Sequence, residues 1–148
     1  MMYRDLLCPR PFNPTAFAND AGYDKLVIVR DIPFVSLCRH HVLPFHGVVS
    51  LGYLPGSRIV GLSKLARLVH YFARSFQVQE QLTKQIADWM QENLSPRGVV
   101  ILRAEHQCMT MPGPKIDGVH TVNSTMYGLL REKGATRQEF LTLAGLRK

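Results

Sequence analysis

A chain of 148 residues, 46% hydrophobic and 20% charged, suits a single domain with a buried core. No stretch approaches the roughly 20 apolar residues that cross a bilayer, and MMYRDLLCPRPF lacks the apolar region of a secretory signal; a cytoplasmic protein without a membrane partner is expected. The +7 formal charge is scattered, with no Lys/Arg block or basic aromatic stripe, which argues against nucleic acid and for a small phosphorylated ligand.

In chain order, residues 1–22 read as an irregular segment punctuated by Pro9, Pro11, Pro14 and Gly22. Lys25 to Arg30 is rich in β-branched residues and reads as a strand extending toward Leu37. Phe45 to Leu54 alternates loosely and ends at the Pro55-Gly56 turn signal, so the two segments form an antiparallel hairpin with CRHHVLP at its bend. Leu65, Leu68, Val69 and Phe72 recur at helical spacing with Ser63 near the start. Val78, Leu82, Ile86, Trp89 and Met90 mark a second amphipathic helix that stops before Ser95-Pro96. Gly98 to Glu105 reads as a buried strand, His120 to Leu130 as its partner, and TRQEFLTLAG as a short closing helix. The β-β-α-α-β-β-α order implies an α+β fold, an antiparallel sheet with a helix pair on one face. Such a sheet leaves edges and a second face to cover, which favours a homo-oligomer.

Three cysteines in a chain without an export signal point to metal binding or inertness and away from structural disulfides. Cys8 lies in a Pro-rich opening with no nearby partner and reads as incidental. Cys38 and His41 are three positions apart at a strand end, and Cys108 follows the third strand; if those ends meet, three ligands hold a zinc ion and leave a fourth position for water. Spacing alone favours buried cysteines that happen to neighbour core histidines. His40 and His106 flank the ligands and suit proton transfer or a supporting role. Ser63, Lys64 and Arg67 at a helix start could bind phosphate or form a solvated face. Gln79 and Glu80 open the second helix; the carboxylate could accept two N–H groups of a guanine edge, or simply answer the helix dipole.

Taken together, LCRHHVLPFHG, GYLPG, IVGLSKLARLV, QVQEQLTKQIA, LSPRGV, EHQCM and TRQEFLTL resemble GTP cyclohydrolase I in order and spacing, from about Asn19 to Leu143. The chain reads as a divergent, N-terminally short member forming one domain over residues 1–148. The resemblance implies the tunnelling fold (T-fold), zinc at Cys38, His41 and Cys108, and His106 as proton donor to the purine imidazole ring with His40 as a second active-site histidine. It implies guanine anchoring by Glu80 with Gln79 nearby, and triphosphate contacts from Ser63, Lys64 and Arg67. The family assembles as a homodecamer with sites between subunits, and its product, dihydroneopterin triphosphate, feeds pterin and folate routes. Three positions depart from the family pattern. Arg39 replaces an acid, Asn123 replaces a threonine, and Pro112 stands where an arginine helps hold the triphosphate, with Lys115 as a nearby substitute cation. Two other readings follow from these departures: a paralogue acting on another purine nucleotide, and a non-catalytic T-fold protein that binds a purine or pterin.

Overall fold

Two long strands carry the architecture. Val27–Cys38 (β2) and Pro44–Tyr53 (β3) pair antiparallel from Val27↔Tyr53 to Leu37↔Pro44, as the β-branched runs on either side of CRHHVLP require. Their register slips between Val29 and Ile32, a bulge at which Asp31 adopts φ 59° and its N–H donates to Ser50 Oγ at 3.3 Å. The fold is described by a computed structural model over residues 2–94, 98–111 and 115–146.

Gly98–His106 (β6) pairs with β3 along its whole length, and Thr121–Met126 (β7) pairs with β6. The sheet order is β5-β2-β3-β6-β7, where β5 is the two-residue strand Phe76–Gln77. All pairs are antiparallel except β5 with β2, so the expected purely antiparallel sheet carries one short parallel edge.

Helices α2 (Leu62–Ala73) and α3 (Gln79–Asn93) lie on one face, as their spacing predicts. Leu65, Leu68 and Val69 from α2 and Leu82, Ile86 and Met90 from α3 are fully buried against Val49, Leu51, Val100 and Leu102 of the sheet. Each such aliphatic side chain contributes about 1.5–3 kcal/mol by leaving water. The opposite face is covered at one end. There Ile101, whose side chain alternates away from Val100 and Leu102, packs with Leu130, Phe140 and Ala144. Leu130 belongs to α5 (Leu129–Glu132) and Phe140 to α6 (Gly134–Leu143), the closing helix read from TRQEFLTL.

The N-terminal segment corrects the sequence reading. It is not irregular throughout: Met2–Leu7 forms α1, and Ala16–Ala18 (β1) pairs antiparallel with Arg58–Val60 (β4). The three prolines delimit these short elements without preventing them. Phe12 pins the stretch between, its ring centroid 5.8 Å from Tyr71 on α2 and 5.7 Å from Trp89 on α3. No described helix is long and apolar enough to cross a membrane.

Candidate active site

The sheet order brings the sequence-distant residues together. β3 is flanked by β2 and β6, and its first residues face the ends of both: Leu37 pairs with Pro44, and His106 pairs with Phe45. Cys38 therefore lies one strand to one side of β3 and His106 one strand to the other. A single helical turn, α4 (Gln107–Thr110), follows β6 directly and carries Cys108. Cys38 Sγ, His41 and Cys108 Sγ present ligand atoms all within 4.8 Å of one another, with Cys38 Sγ 3.7 Å from His41 Nδ1.

The turn after β2 is held by its own backbone. Cys38 N–H donates to the Leu43 carbonyl and Val42 N–H to the Cys38 carbonyl, both at 2.8 Å. Arg39 N–H donates to the Gln77 carbonyl at 2.9 Å, which ties the turn to β5. Val42 sits at φ 57°, a region that strongly disfavours a β-branched residue and costs about 1–3 kcal/mol. That strain is the local expense of folding His41 back toward Cys38. Arg39 is exposed, and its guanidinium donates to the Phe76 carbonyl at 3.5 Å.

A cavity of about 270 Å³ opens beside the trio, lined by Cys38, His40, His41, Val78, Gln79, Glu80, His106, Cys108, Met109 and Thr121. Seven of the residues singled out in the sequence thus share one cavity. Glu80 lies in the first turn of α3, where a carboxylate is favoured, and is exposed to the opening. The His106 ring stacks on Phe45 with centroids 4.7 Å apart and planes 1° from parallel. Burial pulls the His106 imidazole below its ordinary pKa, against the opposing field of Glu80. Burial pushes the Cys108 thiol up, and the neighbouring Cys38 adds to that rise. His40 lies edge-on to His41, centroids 6.3 Å apart.

Gln79 behaves differently from a residue turned toward a ligand. The residue is 2% exposed. Its amide nitrogen donates to the Thr121 carbonyl at 2.8 Å and the Leu102 carbonyl at 3.4 Å, and its oxygen lies 2.6 Å from His106 Nε2. Thr121 and Phe45 are site residues that the sequence reading did not find. The aromatic after Pro44 and the first residue of β7 carry no spacing signal, and only the strand register reveals them.

The phosphate candidates lie elsewhere on this chain. Ser63, Lys64 and Arg67 occupy the start of α2 and do not line the cavity beside the trio. Arg67 lines a separate cavity of about 350 Å³ with Arg10, Phe12, His70, Tyr71 and Arg74. Lys115 is exposed at φ 51° and is also absent from the first cavity's lining. Pro112 falls outside the described residues. Cys8 is exposed and free.

The family description "GTP cyclohydrolase I" matches residues 4–145. Proteins named GTP cyclohydrolase 1 from Gloeobacter violaceus and Homo sapiens are 54% and 52% identical over 125 residues, which is 84% of this chain and 58% and 50% of theirs. The Aquifex aeolicus protein of that name is 46% identical over 143 residues, 96% of this chain and 78% of its own. The chain therefore spans about half the length of the first two relatives and most of the third. With a family match over residues 4–145 and this extent of identity, the chain belongs to the GTP cyclohydrolase I family.

Proposed function

We propose that this chain is a zinc-dependent hydrolase that opens the imidazole ring of GTP, releases formate and yields 7,8-dihydroneopterin triphosphate for pterin and folate biosynthesis. The observation that carries this reading is the convergence of Cys38, His41 and Cys108 in one cavity with His106 and Glu80. A tetrahedral site with Zn–S of about 2.3 Å and Zn–N of about 2.0–2.1 Å has S···N edges of about 3.6 Å. The 3.7 Å between Cys38 Sγ and His41 Nδ1 fits that edge without rearrangement. Two thiols and one imidazole suit zinc, and a set that stops at three leaves room for solvent. A zinc ion held there supplies a Lewis acid that lowers the pKa of water toward about 7.

The protein's own groups do the rest. Glu80, exposed at the cavity edge, accepts the N1 and N2 hydrogens of guanine, a pair that adenine does not offer. His106 lines the cavity and serves proton transfer to the imidazole ring of the purine, making C8 more electrophilic. Hydrolysis of both C–N bonds to C8 consumes two waters and frees formate. Closure of the new amine onto the rearranged ribose carbon chain returns one. His40 lies beside the same cavity as a second histidine for these transfers.

Ser63, Lys64 and Arg67 are not in this cavity, so triphosphate contacts from them come from a neighbouring copy in a homo-oligomer whose sites lie between subunits. The family's decamer supports that reading, with the whole chain acting as one cytoplasmic domain. The test is metal analysis combined with formate release and pterin fluorescence on GTP. His106→Ala retains metal and loses turnover, whereas Cys108→Ala loses both. No formate from zinc-loaded protein overturns the proposal, and equal rates on GTP, GDP and guanosine move it to another purine substrate.

A further inference from the structure

We infer that Gln79 is a positioning residue: its side-chain amide dictates that His106 carries its hydrogen on Nε2, leaving Nδ1 as the ring nitrogen open to a ligand. The argument runs from the acceptors inward. The carbonyls of Thr121 and Leu102 can only accept, so the nitrogen that meets them at 2.8 and 3.4 Å must be the NH₂ end of the amide. Flipping Gln79 would set its oxygen against both carbonyl oxygens, at a residue only 2% exposed where water cannot compensate.

The amide oxygen is thereby committed to His106 Nε2 at 2.6 Å, and being an acceptor it requires an N–H there. Stacking on Phe45 holds the ring in its plane, so the bond fixes the second ring nitrogen as well. Among the described residues Nδ1 has no hydrogen-bond partner, while the ring lines the cavity. Gln79 has both ends of its amide engaged and none left for guanine, which separates its task from that of the exposed Glu80 beside it.

The kinetic arm of this inference rests on the reaction proposed above; the spectroscopic arm does not. Magic-angle-spinning ¹⁵N NMR of metal-loaded, histidine-labelled protein, assigned by the signals lost in His106→Gln, reads which nitrogen is protonated. The expected wild-type result is a protonated Nε2 and an unprotonated Nδ1. Gln79→Met keeps the volume and removes the acceptor. It should give mixed tautomers and lower kcat about 10–100-fold with KM and metal content little changed. Gln79→Glu keeps an acceptor for Nε2 but faces the two carbonyls with a carboxylate, so it should retain the tautomer while destabilising the fold. A wild-type proton on Nδ1 overturns the inference, as does Gln79→Met with unchanged tautomer and kcat. If Gln79→Met does not fold, the wild-type and Gln79→Glu spectra still decide. A correct tautomer in a wild type that releases no formate upholds the clamp and removes the reaction.

Discussion

Gly47 is the position where one added methyl group should cost most. It lies on β3 opposite Ala104 of β6, two residues from the Phe45↔His106 pair at the edge of the cavity. A Cβ built on Gly47 would lie 1.9 Å from the Arg103 carbonyl oxygen, 2.7 Å from Ala104 Cα and 2.8 Å from Arg103 C. All three are backbone atoms, so no rotamer change relieves the clash. Raising the shortest contact from 1.9 to even 3.0 Å moves the strands apart locally by a large part of the difference. Ladder bonds of about 2.9 Å then pass the roughly 3.5 Å limit at which they cease to count. Two flanking bonds at about 1 kcal/mol each, plus about 1–3 kcal/mol for groups left unpaired, give about 3–5 kcal/mol for Gly47→Ala. The roughly 0.5–1 kcal/mol that alanine recovers through lower chain entropy does not offset this. Urea denaturation, with slopes of about 1–3 kcal/mol/M for chains of this class, should show the midpoint falling by more than about 1 M. A loss below about 1 kcal/mol would refute the reasoning, because it would mean that β3 and β6 can separate there without losing their pairing.

Three further outcomes are expected. Tyr53, 1% exposed, accepts the Val60 N–H at 3.0 Å, so Tyr53→Phe should leave that donor unpaired and cost about 1–3 kcal/mol by chemical denaturation; an unchanged midpoint would contradict it. The same burial raises the Tyr53 phenol above its ordinary value of 10.0 despite the Val60 bond, so its contribution is complete below pH 10.0 and declines as pH rises toward the folded value, a dependence Tyr53→Phe should lack. At Asp88, burial alone would raise the carboxyl, but hydrogen bonds from Lys84 and Tyr127 and the Lys84 charge lower it below 3.8; the thermal midpoint of wild type relative to Asp88→Asn should therefore be constant near neutrality and fall as pH drops below 3.8, and a difference independent of pH would exclude this role. Val42, half exposed at φ 57°, should be better served by asparagine, which tolerates that backbone region; Val42→Asn should gain about 1 kcal/mol in thermal stability, and a lower Tm would show that the turn is not strained.

What could be read in the sequence was whatever repeats over several residues. The apolar stripe of Leu65, Leu68 and Val69 and that of Leu82, Ile86 and Met90 place two helices, because burial of one face must recur at helical spacing. The β-branched runs on either side of Cys38-Arg39-His40-His41 place the hairpin. Several of the shortest elements escape such a reading: α1, the β1–β4 pair, β5 and α4 are too short for any periodicity to accumulate. They form because something distant holds them, as Phe12 does for the N-terminal stretch against Tyr71 and Trp89.

The same distinction explains the site. A Cys-x-x-His pair is a local fact, and its partnership with Cys108 follows once two strand ends flank the start of a third. The chemistry of those residue types nominates a metal before any fold is known, since thiolates and imidazoles are zinc's preferred ligands, but only their convergence separates that reading from buried cysteines beside core histidines. Gln79 is the opposite case. Its neighbour Glu80 has a charge that suggests a task, whereas an amide suggests none until its partners are known, and those partners are backbone carbonyls of Leu102 and Thr121 on two strands. Backbone acceptors leave no trace in the identity of the residues that bear them. The placement of Ser63, Lys64 and Arg67 away from the cavity marks a further boundary of the same kind. Helical spacing puts Lys64 and Arg67 on one face of α2, yet it carries no information on which cavity, or which copy of the chain, that face serves.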